Sequence, residues 1–288
     1  MKKNVFLKCL SLGLAGMLVA CTSERSIDEQ FPKEQAKEKG KLTLSLTSST
    51  NFEPETRALN EDNYRNTNNY TVQLINTANN NVLLECKGSE LTTNLPKELE
   101  GGSYEVKAFY GTEYASSRND FRVEGSQTFT IKANDEKVVN VDCQPTCGKI
   151  SVAFDSEMAT YYDDYNVSFG GTAALGTNTI EWAKTDTEPW YVKLNDGEET
   201  VSYTVNVTAK EDYAHVDANG NKQTSGTATG TFTLQRNRAH KLTVTPSYTP
   251  TTEGGLSIKI TIDESTNDKP ITIEVPVSWI YAETRLTE

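Results

Sequence analysis

The chain has 288 residues, 36% hydrophobic and 24% charged, which is enough apolar matter for packed cores and argues against wholesale disorder. Its formal net charge of -12 argues against nucleic-acid partners, because so acidic a surface repels phosphate. With two histidines, and without a Gly-x-Ser-x-Gly elbow, a His-Glu-x-x-His helix or a phosphate loop, the chain offers no catalytic residue, metal ligand or cofactor site.

The first element is a leader. Met1-Lys2-Lys3 is basic, and Val5 to Val19 is mostly apolar but too short for a comfortable membrane span. Leu18-Val19-Ala20-Cys21 resembles the lipobox of bacterial lipoproteins. That resemblance implies cleavage after Ala20 and lipidation of Cys21, so residues 1–20 read as a signal peptide and the partner is a membrane held through acyl chains. Residues 21–39 are polar and carry scattered acids, with only Ile27 and Phe31 as large apolar groups. They read as a flexible tether, and early acids resemble the export signal of surface lipoproteins in the Bacteroidetes.

Residues 40–146 form a first β-domain. Leu42, Leu44 and Leu46 alternate with polar residues, as do Tyr70, Val72 and Leu74, and period two means a strand with one buried face. Asn79-Asn80-Asn81 turns the chain into Val82–Cys86, and Gly101-Gly102 leads into Ser103-Tyr104-Glu-Val106. Phe129 to Val141 then alternates, pauses at Asn134 and alternates again, which predicts a hairpin. Residues 51–69 and 111–124 remain as long loops between strands.

Residues 147–248 repeat the plan. Phe129–Val141 reappears without a gap as Phe232–Val244, Gly40-Lys41-Leu42 as Gly148-Lys149-Ile150, and Ser103-Tyr104-Glu-Val106 as Ser202-Tyr203-Thr-Val205. Ordered matches of this kind predict a duplication. Alternation places Lys149 on the solvent face, and His240 reads as exposed because it stands where the first copy has Lys137. Residues 249–288 are a linker and a C-terminal β-hairpin, Leu256–Ile262 against Ile271–Val275. The fold class is all-β: two tandem antiparallel β-sandwich domains, immunoglobulin- or transthyretin-like, plus the hairpin.

Candidate sites are few. Cys86 and Cys143 share the parity of apolar neighbours and face one core, which leaves open either a disulfide in an oxidising compartment or two buried thiols. Tyr161, Tyr162, Trp182, Trp190 and Tyr191 crowd near strand ends, where aromatics either stack on a glycan or protein ligand or complete the core. Asp217-Ala-Asn-Gly220 is a turn without the later acids of a calcium loop.

Taken together, Gly-Lys-Leu-x-Leu, Gly102-Ser-Tyr-Glu-Val-Lys-Ala108, the Phe129–Cys143 segment, Lys149-Ile-Ser-Val-x-Phe154 and Ile271-Thr-Ile-Glu-Val-Pro276 resemble the Bacteroidetes lipoprotein family called domain of unknown function 4493, from Gly40 to Trp279. More distantly the layout is similar to fimbrillin-type lipoproteins. The first resemblance implies a lipid-anchored outer-membrane protein exposed at the cell surface, with no activity attached; a non-catalytic binding or adhesion module fits it. The second implies the alternative, a structural subunit assembling by strand addition, for which Arg57 is a candidate processing site.

Overall fold

The computed structural model describes residues 38–52, 59–216, 219–247, 260–262 and 268–276. The chain is all-β, with helix among these residues confined to short turns such as Asp62–Arg65, Leu91–Asn94 and Met158–Tyr161. Cys21, Arg57, Asp217 and the linker before the C-terminal strands lie outside the described residues.

The first lobe comprises β1 (Lys39–Ser48), β2 (Thr71–Asn76), β3 (Asn81–Lys87), β4 (Lys97–Glu100), β5 (Gly102–Tyr110), β6 (Ser116–Ser117), β7 (Val123–Ile131) and β8 (Glu136–Pro145). Apart from β6, these strands run in the order β3-β2-β5-β7-β8-β1-β4. β7 and β8 pair only at Val123–Pro145 and Glu124–Gln144. Beyond that joint β7 continues beside β5 and β8 continues beside β1, so the sheet divides into two layers. Their inner faces share one core, with Val72, Val106 and Phe129 from one layer and Leu42, Leu99 and Val141 from the other. Burying each such aliphatic side chain contributes about 1.5–3 kcal/mol.

The second lobe comprises β9 (Cys147–Phe154), β10 (Tyr162–Gly170), β11 (Ile180–Ala183), β12 (Trp190–Lys193), β13 (Glu198–Ala209), β14 (His215–Val216), β15 (Lys222–Gln223), β16 (Ser225–Gln235) and β17 (Ala239–Ser247). Two further strands, β18 (Ile260–Ile262) and β19 (Asp268–Pro276), follow the linker. One layer is β11-β10-β13-β16 and the other is β18-β19-β17-β9-β12-β6, while β14 and β15 form a separate ribbon. Val167, Trp182 and Phe232 meet Ile150, Val192 and Leu242 between the layers. β18 pairs antiparallel with β19, and β19 runs parallel along β17.

The duplicated segment is an arch rather than the expected hairpin. β16 and β17 share no ladder; β16 lies on β13, and β17 lies between β9 and β19 in the opposite layer. The Asn makes the crossing: Asn134 and Asn237 hold the same place in the two copies, with φ of 60° and 56°. Asn tolerates this left-handed region better than other side chains. Asn134 N–H donates to the Lys39 carbonyl at 2.9 Å, and Asn237 N–H donates to the Cys147 carbonyl at the matching position, also at 2.9 Å. A side chain on Gly40 would stand 2.6 Å from the Lys132 carbonyl, and one on Gly148 2.8 Å from the matching Gln235 carbonyl, so each copy opens on glycine. Phe129, Val141, Phe232 and Val244 are all buried.

Two further expectations are corrected. The sheets are mixed, not antiparallel, because the first strand of each lobe runs parallel to the strand after its arch: Leu42 opposes Lys137, and Ile150 opposes His240 in the same register. Second, the Ser-Tyr-x-Val echo is displaced by two residues. Phe129 opposes Tyr104, but Phe232 opposes Val201, and Tyr203 opposes Gly230. An even slip keeps every side chain on its expected face, so alternation could not reveal it.

Candidate functional site

The lobes are joined by side chains that sequence reading placed elsewhere. Lys149 is buried, not solvent-facing, with its ammonium 3.2 Å from Oε1 of Glu61, which is 1% exposed. Tyr191 hydroxyl donates to the same oxygen at 2.5 Å. Lys41, the counterpart of Lys149, is exposed, because Glu61 stands in the 51–69 loop of the first lobe and reaches across to the second. His240 is buried too, its ring 5.7 Å from that of Phe232. The reason is neighbourhood: β17 is flanked by β9 and β19 at His240, whereas β8 at Lys137 has β1 alone.

The 111–124 loop makes the second connection. Its β6 adds to β12 of the second lobe, Ser117 opposing Tyr191. Arg118 then reaches between the tryptophans, its guanidinium 4.5 Å from the centre of the Trp190 ring and 5.1 Å from that of Trp182. It donates to the Glu188 carbonyl at 2.8 Å, the Glu181 carbonyl at 3.0 Å and Asp186 Oδ2 at 2.6 Å. A planar fork satisfied on its edge and stacked on its faces is a use of arginine that lysine cannot replace.

The aromatic candidates therefore do not form a ligand platform. Trp182, Tyr162 and Tyr191 are buried, Tyr191 within the first lobe's core, where its ring lies 4.6 Å from that of Phe121. Trp190 is half-buried and donates to the Glu181 carbonyl at 3.0 Å. Tyr161 packs edge-on against Tyr213 at 5.2 Å. Trp182, Trp190 and Tyr191 line the seam, while Tyr161 and Tyr162 pack within the second lobe.

Cys86 and Cys143 are free buried thiols, not a bridge, as is Cys147. Cys86 opposes Val72, which opposes Ala108, and Cys143 Sγ contacts the Ala108 carbonyl at 3.7 Å. Two strand spacings of about 4.8 Å thus separate the Cys86 backbone from the strand that Cys143 touches. Burial pushes the Cys143 thiol up to about 12, with the Asp142 and Glu124 carboxylates adding to the effect.

A concave surface does remain. The outward residues of β5, Glu105, Lys107 and Phe109, face those of β7 and β8 at the joint where the layers part, enclosing a groove of about 790 Å³. Arg122 lies over the Phe109 ring at 4.2 Å and donates to Glu124 at 2.7 Å. Asp142 accepts from Gln144 at 3.0 Å, Ser49 at 2.7 Å and Thr47 at 3.0 Å. These bonds, that from Gln144 foremost, hold its carboxyl below the usual carboxylate range. Gln73 and Ser126 complete a wall rich in donors and acceptors, and Arg236 of the second lobe closes one end while donating to the Leu194 carbonyl. Cationic and anionic side chains alternate here. The sequence shows these positions only as the solvent-facing half of an alternating pattern.

The family model called Domain of unknown function (DUF4493) matches residues 38–277, and the chain belongs to that family. No curated protein matches it. Among solved structures it is similar to a candidate cell adhesion protein from Bacteroides eggerthii, at 12% identity and TM-score 0.37 over 84% of this chain and 88% of that one. It is also similar to a fimbrial assembly protein from Parabacteroides distasonis, at 12% identity and TM-score 0.35 over 72% and 90% of the two chains. A candidate adhesin from Bacteroides ovatus matches at 11% identity and TM-score 0.36 over 65% and 76%. At these scores the likeness is loose and says nothing of what this chain binds.

Proposed function

We propose that the chain is a non-catalytic binding module, built of two tandem β-sandwich domains, held at the outer membrane by acylation of Cys21 and exposed at the cell surface. The ligand surface is the groove between β5, β7 and β8, and its ligand is a glycan. The observation that carries the reading is the groove's lining: amide, hydroxyl and balanced charged groups around Phe109. Sugars offer many weak donors and acceptors with an apolar face, and such a wall with one aromatic ring matches both. The titratable groups most perturbed in the lobes are buried phenols and thiols, such as Tyr162, pushed up to about 12 by burial. Groups held neutral in a core are poor general acids or bases near neutral pH.

The test is a glycan array probed with the protein and with Phe109→Ala and Gln144→Ala variants. Binding that falls at least tenfold in both supports the reading, and an array signal unchanged in both overturns it. The alternative, a structural subunit assembling by strand addition, draws on β18 and β19, which join the second lobe through backbone pairing with β17. Such a pairing is equally available to a neighbour's strand.

A further inference from the structure

β16 is the outer strand of its layer, eleven residues long, with a ladder to β13 on one side and no partner on the other among the described residues. Natural edges are blunted by charge, proline, bulges or brevity, because a bare one recruits other strands. The other edges follow that rule: β3 carries Glu85 and Lys87, and β4 is four residues long and carries Lys97, Glu98 and Glu100. β11 and β18 are four residues or shorter. β16 reads Ser-Gly-Thr-Ala-Thr-Gly-Thr-Phe-Thr-Leu-Gln, without a charge or a proline, in a chain of net charge -12. Its register against β13 runs unbroken from Gln235 to Ser225.

The strand is also complementary to its own reverse. Opposed antiparallel about Gly230, Thr229 meets Thr231 of the other copy, Thr227 meets Thr233 and Ser225 meets Gln235, all on the exposed face. On the inner face Ala228 meets Phe232 and Gly226 meets Leu234, small against large each time. Thr–Thr pairs are among the favourable cross-strand combinations, and a two-fold axis makes every contact twice.

We propose that β16 pairs with β16 of a second copy of this chain, antiparallel about Gly230, joining two four-stranded layers into one continuous sheet. A second copy is favoured over an unrelated strand because both faces match under reversal and because the segment alone lacks the acidic character that would set two copies against each other. The groove is lined by the first lobe except at one end, where Arg236 follows β16, so a pair of copies presents it twice to a multivalent surface.

Gly230 itself cannot serve as the probe, since a side chain there would stand 2.3 Å from the Tyr203 hydroxyl. The exposed threonines can. In the full chain carrying Cys21→Ser, sedimentation equilibrium is measured for the parent, for Thr229→Lys/Thr231→Lys, for Thr229→Glu/Thr231→Glu, and for a mixture of the two variants. The parent is expected at twice the monomer mass. Each variant alone is expected as a monomer with unchanged circular dichroism, because like charges then oppose each other across the axis, and with the slightly lower melting temperature that loss of a partner brings. Mixing opposes Lys to Glu and is expected to restore the doubled mass. A monomeric parent, a variant that still dimerises, or a mixture that stays monomeric overturns the proposal; association would then run through another segment or another protein.

Discussion

Lys149 Nζ sits 3.2 Å from Glu61 Oε1, with both side chains buried at the seam between the lobes. Removing one partner leaves the other charge stranded in a low-dielectric site, so Lys149→Ala should cost about 3–5 kcal/mol in guanidinium unfolding. Replacing both, as Glu61→Leu with Lys149→Met, should recover most of that loss. If the double variant is no more stable than the single one, the pair is not the source of the cost.

Arg118 should behave as a bolt. Arg118→Ala removes the stacking on Trp182 and Trp190 and three donated hydrogen bonds, a loss of about 2–3 kcal/mol. Arg118→Lys should fail to restore it. Tryptophan emission, which moves to longer wavelength as Trp190 gains water, checks both variants in one titration.

The thiols give a chemical check on the unbridged state. Cys143 and Cys147 are buried, and their thiols are held neutral by burial, so native protein at pH 8 should resist iodoacetamide at both. A thiol whose pKa is raised by folding contributes stability below its unfolded value of about 8.5, and that contribution fades as pH climbs toward the folded value. In guanidinium without reductant, Cys86, Cys143 and Cys147 should all label; a peptide map with Cys86 joined to Cys143 would contradict the structure.

What was legible in the sequence was the face of each strand. Phe129 and Phe232 could be read as buried because alternation fixes parity, and the repeat could be read because Gly, Asn and the apolar positions recur together. Partnership was not legible. Nothing in alternation tells β7 to leave β8 for the opposite layer, or separates Val201 from Tyr203 as the neighbour of Phe232. The groove was hidden for the same reason, since Phe109, Arg122 and Asp142 look like ordinary outward residues until the two layers part beneath them. Lys149 was misjudged because its burial depends on a single acid in a distant loop. Trp182 and Trp190 belonged to a seam whose other half, Arg118, stands in a loop with no periodic pattern of its own.

The anchor has its own test. Leu18-Val-Ala-Cys21 motivates the expectation that Cys21→Ser abolishes incorporation of labelled palmitate and moves the protein out of the membrane fraction. Retention of both label and membrane association would rule out Cys21 as the acylated residue.

The tail separates binding module from structural subunit. Because β19 pairs with β17 along nine residue pairs, a chain ending at Thr252 should melt at a lower temperature if that pairing is made within one molecule. An unchanged melting temperature together with lost self-association would identify the tail as a strand donated to a neighbour.

The parallel pairing of β1 with β8 also sets an order in time. β4 can pair early with the start of β1, Lys39 to Leu42, but Lys41 finds its partner on the other side in Glu136 and Ser48 finds its partner in Cys143, so the rest of the first strand waits for almost the whole lobe to emerge. β9 can pair first with β12 through residues 147–150, but its other side waits likewise for β17, with Ile150 opposing His240. Local strands such as β2 and β3 can close early, but Leu44 and Leu46 have no partner strand until the arch at Asn134 has been made. A chain interrupted before residue 136 would therefore be left holding an apolar strand paired only at its beginning, a natural target for quality-control proteases.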